Sequence, residues 1–281
     1  MDSGRRKKVK KKDKETFYAV RRGKKSGVFK TWDECKAQVN GFPAPLYRKF
    51  HNYDDALAFV KGEYSEEDLD IPEELKVSLN YQLYDPEEEY HFDNWNRFSD
   101  NDILYVFTDG SSKPSGKGRN AITRYAIYFG KECMNVSQGL PNSTNNKCEL
   151  TAILRTLDVI MKHKKELKTR MKCDDDDLDD DGNKLFIKKI MIVTDSEYSF
   201  KACKYNLEKW SSNNWIKSDG EDVKNQEILR PIFINLKMLK FNGINIDFTH
   251  YNSHEPPPIT NKYEHFLWTG NKVADYLAAD T

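Results

Sequence analysis

Charge falls along this chain in three blocks that one core cannot reconcile. Residues 1–62 carry 17 Lys/Arg against 7 Asp/Glu, residues 63–102 carry 2 against 14, and residues 103–281 carry 26 against 24. A strongly acidic stretch repels itself and stays extended, so the chain is expected to fold as two domains joined by an acidic connector. The formal net charge of zero hides a basic head and a mildly basic body, and both suit a polyanionic partner.

Other classes are disfavoured by what the sequence lacks. It has no apolar run near the roughly 18 residues that cross a bilayer, so no membrane partner is expected. Its charged N-terminus is unlike a secretory leader. The five cysteines, at 35, 133, 148, 173 and 203, have no C-x-x-C spacing for zinc. An intracellular protein of the nucleus or cytoplasm, not secreted and monomeric, is the resulting expectation. Residues 1–15, with basic residues from Arg5 to Lys12, are too poor in apolar side chains to pack and are expected to be a disordered basic tail. A nuclear address or an extra phosphate-binding arm would use the same charges.

Residues 16–62 have the pattern of a small α+β domain. Phe17 to Val20 and Gly27 to Phe29 form a strand hairpin, and Tyr47 to Phe50 form a third strand. Thr31 and Glu34 stand at capping-box spacing ahead of a helix that Gly41 and Pro43 end, and Asn52 can cap a second helix carrying Ala56, Phe59 and Val60. Residues 63–102 are expected to be an acidic linker broken by Pro72 and Pro86, with Trp95 and Phe98 placed to dock on the next domain.

Residues 103–281 read as three strands in a meander (Ile103 to Thr108, Arg124 to Phe129, Glu132 to Ser137), then a long helix. That helix carries Leu150, Ile153, Leu154, Leu157, Ile160 and Met161 on one face. A buried strand at Lys189 to Thr194, further helices and a strand at Ile244 to Thr249 complete the order. The result is an α/β domain with a five-stranded mixed sheet and flanking helices. Asp109 ends the first strand, Asp195 ends the fourth, Glu149 lies in the first turn of the long helix, and Asp275 is read at the start of a C-terminal helix. If the first and fourth strands are neighbours, Asp109 and Asp195 repel each other unless a cation lies between them. Hard oxygen ligands select magnesium or manganese.

Four segments, Tyr105 to Ser111, Asn145 to Ala152, Ile192 to Ser196 and Gly270 to Ala278, together resemble the motifs of the ribonuclease H family, in order and on the right elements. The resemblance spans residues 103–281. It implies hydrolysis of the RNA strand of an RNA/DNA hybrid to 5′-phosphate and 3′-hydroxyl products by two Mg2+ ions, with Mn2+ as a substitute. It makes Asp109, Glu149, Asp195 and Asp275 both the catalytic and the metal-binding residues. The family's mobile histidine maps onto His254, followed by an insertion from Glu255 through Trp268, while His250 and His265 read as structural.

The resemblance further implies that Thr144, Asn145 and Asn146 face the RNA, where donors and acceptors can meet 2′-hydroxyls. Tyr198, Trp210 and Asn225 correspond to positions along the DNA strand. Residues 17–43 are similar to the hybrid-binding domain of eukaryotic type 1 ribonucleases H, which makes Tyr18, Trp32, Tyr47, Arg48 and Lys49 its contacts, with double-stranded RNA as a second ligand for that domain. Two other readings stay open: a catalytically degenerate hybrid-binding protein, and a nuclease of the same fold acting on DNA. A zinc or phosphate-binding scaffold has neither its Cys/His spacing nor a P-loop here. The Asp174–Asp181 run reads as a solvated variable loop.

Overall fold

The computed structural model describes residues 15–43, 45–62, 81–85, 92–98, 102–113, 122–131, 133, 135–173, 186–258 and 260–279. The tail of 1–14, residues 63–80 and 86–91 of the expected linker, and the Asp174–Asp181 run lie outside the described residues. The chain divides into two units, Met1–Leu69 with Pro258–Asn261, and Asp70–Pro257 with Lys262–Thr281.

In the first unit, strands β1 (Phe17–Arg22), β2 (Gly27–Phe29) and β3 (Leu46–Phe50) form an antiparallel sheet in the order β2-β1-β3. Helix α1 (Trp32–Val39) starts on the expected capping box, with Thr31 and Glu34 satisfying each other's backbone amides. Helix α2 (Tyr53–Lys61) is capped by Asn52 and ends at Gly62 in the left-handed region, φ 84°. Strand alternation sorts the two faces: Phe17 and Ala19 pack with Phe50, Ala56 and Phe59 on the α2 side, whereas Val20 packs with Cys35 and Val39 of α1.

The second unit is built on a mixed sheet of β4 (Tyr81–Gln82), β5 (Ile103–Lys113), β6 (Ile122–Tyr128), β7 (Asn135–Gly139), β8 (Lys189–Thr194) and β9 (Ile246–His250). The order is β4-β7-β6-β5-β8-β9, with β5-β6-β7 antiparallel and β8 and β9 parallel to β5. The five expected strands are all present, and β4 adds a short parallel edge against β7. The helices of this unit are α3 (Asn145–Lys162), α4 (Lys164–Arg170), α5 (Glu197–Lys201), α6 (Leu207–Ser212), α7 (Gln226–Phe241) and α8 (Lys262–Ala279), with a π-helical turn (Ala202–Asn206) between α5 and α6.

Both sheet faces are covered, which is why β5 and β8 read as continuous apolar runs. Leu104, Val106, Ile190 and Ile192 point into the core shared with α3 and α7, while Tyr105, Phe107, Met191 and Val193 pack under α8. The C-terminal segment departs from the sequence expectation. Helix α8 begins at Lys262, so Tyr263 to Trp268 are helical rather than looped, and Asp275 lies deep in the helix rather than at its start. Residues 92–98 are part of the second unit: Phe92 and Trp95 are buried, their rings 4.7 Å apart, and Trp95 lies 4.6 Å from Phe129. Hydrogen bonds from Asn96 N to Phe129 O and from Tyr105 N to Asn96 O tie this stretch to the sheet. This is the docking expected of Trp95 and Phe98 from the sequence: the Phe98 ring likewise packs on Tyr263 and Phe266, at centroid distances of 5.1 and 5.5 Å.

Trp95→Ala is therefore expected to cost about 3–5 kcal/mol, the range for a large buried aromatic residue. Equilibrium urea unfolding followed by near-ultraviolet circular dichroism measures it; a loss under about 1 kcal/mol would mean that residues 92–98 are a loose tether.

Candidate active site

Strand register explains how two acids meet. The parallel pairing of β5 and β8 ends at Thr108 opposite Thr194, and the next residue on each strand is Asp109 or Asp195. Side chains alternate, so Asp109 follows Tyr105 and Phe107, and Asp195 follows Met191 and Val193, onto the face covered by α8. Asp109 is inside β5 rather than at its end, because the antiparallel pairing with β6 continues to Lys113 opposite Ile122. The strand end predicted from sequence is the end of the pairing with β8 alone.

Glu149 comes from the opposite face. The first turn of α3 packs on Gly110, where any Cβ would overlap the Glu149 backbone nitrogen and lie 2.8 Å from the Cys148 carbonyl carbon. Glycine at 110 is thus what lets Glu149 approach. One ligand oxygen from each of Asp109, Glu149 and Asp195 falls within 4.8 Å of the others. Asp275, the fourth expected acid, is outside that group. Its Oδ2 accepts a hydrogen bond from Lys272 Nζ at 2.8 Å, yet its charge still acts on Asp109 and Asp195.

The electrostatics match such crowding. Burial, then the negative charges of Asp195 and Asp275, push the Asp109 carboxyl well above the usual carboxylate range. Burial and then the charges of Asp109 and Asp195 do the same to Glu149, against opposing hydrogen bonds from the Gly110 amide and Thr194. Burial also raises Asp195, partly offset by His254. Glu149 Oε2 is buried with no hydrogen-bond partner. An oxygen in that state costs free energy unless a proton or cation meets it, and three hard carboxylate oxygens fit a divalent cation.

The loop after β9 positions a histidine at the rim. His254 is 65% exposed, and its Nε2 lies 3.4 Å from Asp195 Oδ2. Asn271, fully buried on α8, donates to Tyr251 O and Ser253 Oγ, while Trp268 Nε1 donates to Glu255 O. The Tyr251 amide bonds Thr194 O. His250 bonds the Asp195 carbonyl through Nε2 at 2.8 Å, and His265 stacks on Trp268. Asn271 and Trp268 went unnoticed in the sequence because their work is to hold a backbone, which no motif spacing reveals.

Of the residues expected to meet nucleic acid, Thr144, Asn145 and Asn146 are exposed at the start of α3, and Thr144 Oγ1 also caps the helix by accepting from Lys147 N. Asn225 takes the left-handed region, φ 59°, and donates from Nδ2 to the Tyr198 hydroxyl at 3.1 Å. That hydroxyl donates in turn to Lys224 O. Trp210 is half-buried against the main core. In the first unit Trp32 stands between Tyr18 and Tyr47, with 5.7 Å between ring centroids on each side, and Lys49 is opposite Tyr18 in register. Arg48 does not join them. Alternation along β3 sends it to the α2 face, its guanidinium 6.0 Å from the Phe59 ring centroid.

A mixed sheet that brings carboxylates from the point where two adjacent strands stop pairing, and from a helix start, into one cation-sized group has the ligand set of a metal-dependent hydrolase. A family model described as RNase H matches residues 101–281, and one described as the Ribonuclease H1 N-terminal domain matches residues 16–60. Ribonuclease H1 of Homo sapiens is 28% identical over 293 residues, covering 94% of this chain and 88% of the relative. Ribonuclease H1 of Mus musculus is 30% identical over 292 residues with the same coverage. The solved PFV RNase H domain is 23% identical, with 62% of this chain and 91% of that one covered at a TM-score of 0.42. The chain belongs to the ribonuclease H family, and its enzymatic activity is that of a ribonuclease H.

The raised acids have a measurable consequence. A carboxyl whose folded pKa exceeds its unfolded value of about 4 keeps its proton in the fold when the unfolded chain has lost it. The contribution of Asp109 and Glu149 to metal-free stability is therefore greatest below about pH 4 and declines as pH rises through their folded values. Asp109→Asn removes an ionisable group that the fold holds unfavourably once the unfolded chain has lost its proton, and is expected to stabilise the metal-free protein at pH 7.5. Adding Mg2+ should then raise the thermal midpoint of the wild type more than that of the variant. Calorimetry with and without chelator measures both, and an equal response to Mg2+ would remove Asp109 from the cation site.

Proposed function

We propose that this chain cuts the RNA strand of RNA/DNA hybrids by metal-assisted hydrolysis, leaving 5′-phosphate and 3′-hydroxyl ends. The observation that carries this reading is the group formed by Asp109, Glu149 and Asp195, whose ligand oxygens lie within 4.8 Å of one another. When bound, a pair of Mg2+ ions, or Mn2+ in their place, would supply activation of water and stabilisation of the leaving 3′-oxygen. Asp109, Glu149 and Asp195 would hold the first ion and Asp275 would contribute to the second. The buried carboxyls must release their protons for this, so at acid pH protons compete with the cations.

The chain's other residues bind and orient. Thr144, Asn145 and Asn146 offer side-chain donors and acceptors to 2′-hydroxyls, the groups that distinguish RNA from DNA at a given site. The bonded pair of Tyr198 and Asn225, with Trp210, suits the backbone of the DNA strand. His254, exposed and within reach of Asp195, is placed to assist product departure. In the first unit the Tyr18, Trp32 and Tyr47 rings with Lys49 form a platform for sugars and phosphates. This unit acts as a tether that keeps the catalytic unit near one hybrid.

A labelled hybrid, incubated with and without Mg2+, tests the activity. Asp109→Asn and Asp195→Asn should each slow cleavage by about a thousandfold or more with hybrid affinity nearly unchanged, because ligand charge is needed for the metals rather than for docking. Turnover at the wild-type rate by either variant would refute the site, and equal cutting of duplex DNA would refute the substrate.

Replacing both Trp32 and Lys49 by alanine should lower affinity and the number of cuts per encounter, while single-turnover cleavage at saturation stays near wild type. The deficit should shrink as salt rises, since the phosphate contacts lose their counterion-release advantage. Unchanged cuts per encounter on a long hybrid would show that the first unit is no tether.

A further inference from the structure

We infer that Lys272 is a positioning residue that holds Asp275 out of the carboxylate group, so that the protein has one preformed cation position and a second that opens only when this ion pair breaks. The inference rests on the reading of Asp109, Glu149, Asp195 and Asp275 as metal ligands.

Three of the four acids already converge. Asp275 does not, although its charge is close enough to bear on Asp109 and Asp195. Asp275 is held by a lysine: Lys272, one helical turn earlier on α8, donates from Nζ to Asp275 Oδ2 at 2.8 Å, and both side chains are about a quarter exposed. Geometry within the helix favours the contact, because residues three apart lie on the same face.

The helix itself cannot easily supply the movement. Gly270 packs so closely on the Phe107 ring that a Cβ there would overlap it, and Asn271 is bonded to Tyr251 and Ser253. Further along, Ser137 Oγ donates to Leu277 O at 2.7 Å. With α8 fixed on both sides of the pair, Asp275 joins the site by rotation of its side chain away from the lysine. A partly exposed ion pair is weak, so a divalent cation can displace the ammonium. Lys272 still raises the concentration required, both through the pair to be broken and through repulsion of the incoming ion.

The test is Mn2+ binding to the full chain without nucleic acid, read as free Mn2+ by electron paramagnetic resonance, with circular dichroism to verify folding. Wild type should bind one ion firmly and a second weakly. Lys272→Gln should tighten the second step by about five- to tenfold and move the first by less than about twofold. Lys272→Arg should behave as wild type, and Asp275→Asn should lose the second step whichever residue stands at 272. A change under about twofold in the second step of Lys272→Gln, or an equal shift of both steps, would overturn the inference, since the latter is a general charge effect rather than release of Asp275. Asp109→Asn should abolish the first step. If it does while Lys272→Gln is silent, only the role of Lys272 fails, whereas binding retained by Asp109→Asn overturns the metal-site reading and this inference with it.

Discussion

Asp109, Glu149 and Asp195 repel one another at distances where burial leaves little water to screen them. The second unit is arranged to hold them together in spite of this. Six consecutive pairs from Ile103 opposite Lys189 to Thr108 opposite Thr194 fix the strand positions from which Asp109 and Asp195 project. Two tight helix contacts, α3 on Gly110 and α8 on the Phe107 ring through Gly270, bring one further acid from each face of the sheet. Either glycine, given a side chain, would push its helix outward, and with it Glu149 or Asp275. The repulsion is thus stored in a framework whose own packing is satisfied, and a cation relieves it.

The framework also explains why function sits where it does. Parallel strands β5 and β8 stop pairing at one end of the sheet, which frees the following residues to point at solvent and ligand rather than at neighbours. Helices that cover the two faces bring their termini or their middles to the same end. The loop after β9 arrives there as well, pinned by Asn271 and Trp268 so that His254 stands 3.4 Å from Asp195. Polar groups bonded in this way keep the site geometry without contributing to its chemistry.

Much of this was legible in the sequence, and the failures have physical causes. Apolar runs flanked by acids located β5 and β8, helical spacing located α3, and the capping box of Thr31 and Glu34 located α1. Those signals are local. Asp109 reads as a strand terminus only until pairing is considered, because β5 goes on against β6 alone. Three prolines at 256 to 258 and the aromatic residues after them suggest an irregular insertion, yet Tyr263, Phe266 and Leu267 lie on one helical face that packs beneath the sheet. In β3, Tyr47, Arg48 and Lys49 are neighbours in sequence and therefore on alternate faces, Tyr47 and Lys49 on one and Arg48 on the other, which a contiguous motif does not reveal. Lys272 was unremarkable as one lysine among many. Only its bond to Asp275 gives it meaning.

The charge balance of the site links that lysine to the substrate. Asp109, Glu149, Asp195 and Asp275, when ionised, are one charge short of neutrality with Lys272 and a single divalent ion beside them. A second divalent ion overshoots by one. The scissile phosphate carries that one negative charge, so the second ion is held most favourably when the nucleic acid is also present. By linkage the same coupling must act in reverse, and a bound second ion favours the phosphate. Lys272 would then do more than weaken one metal position. By keeping Asp275 occupied until a phosphate arrives, it makes the complete set of charges a property of the enzyme–substrate complex rather than of the free enzyme, which is where stabilisation of a charged transition state is needed.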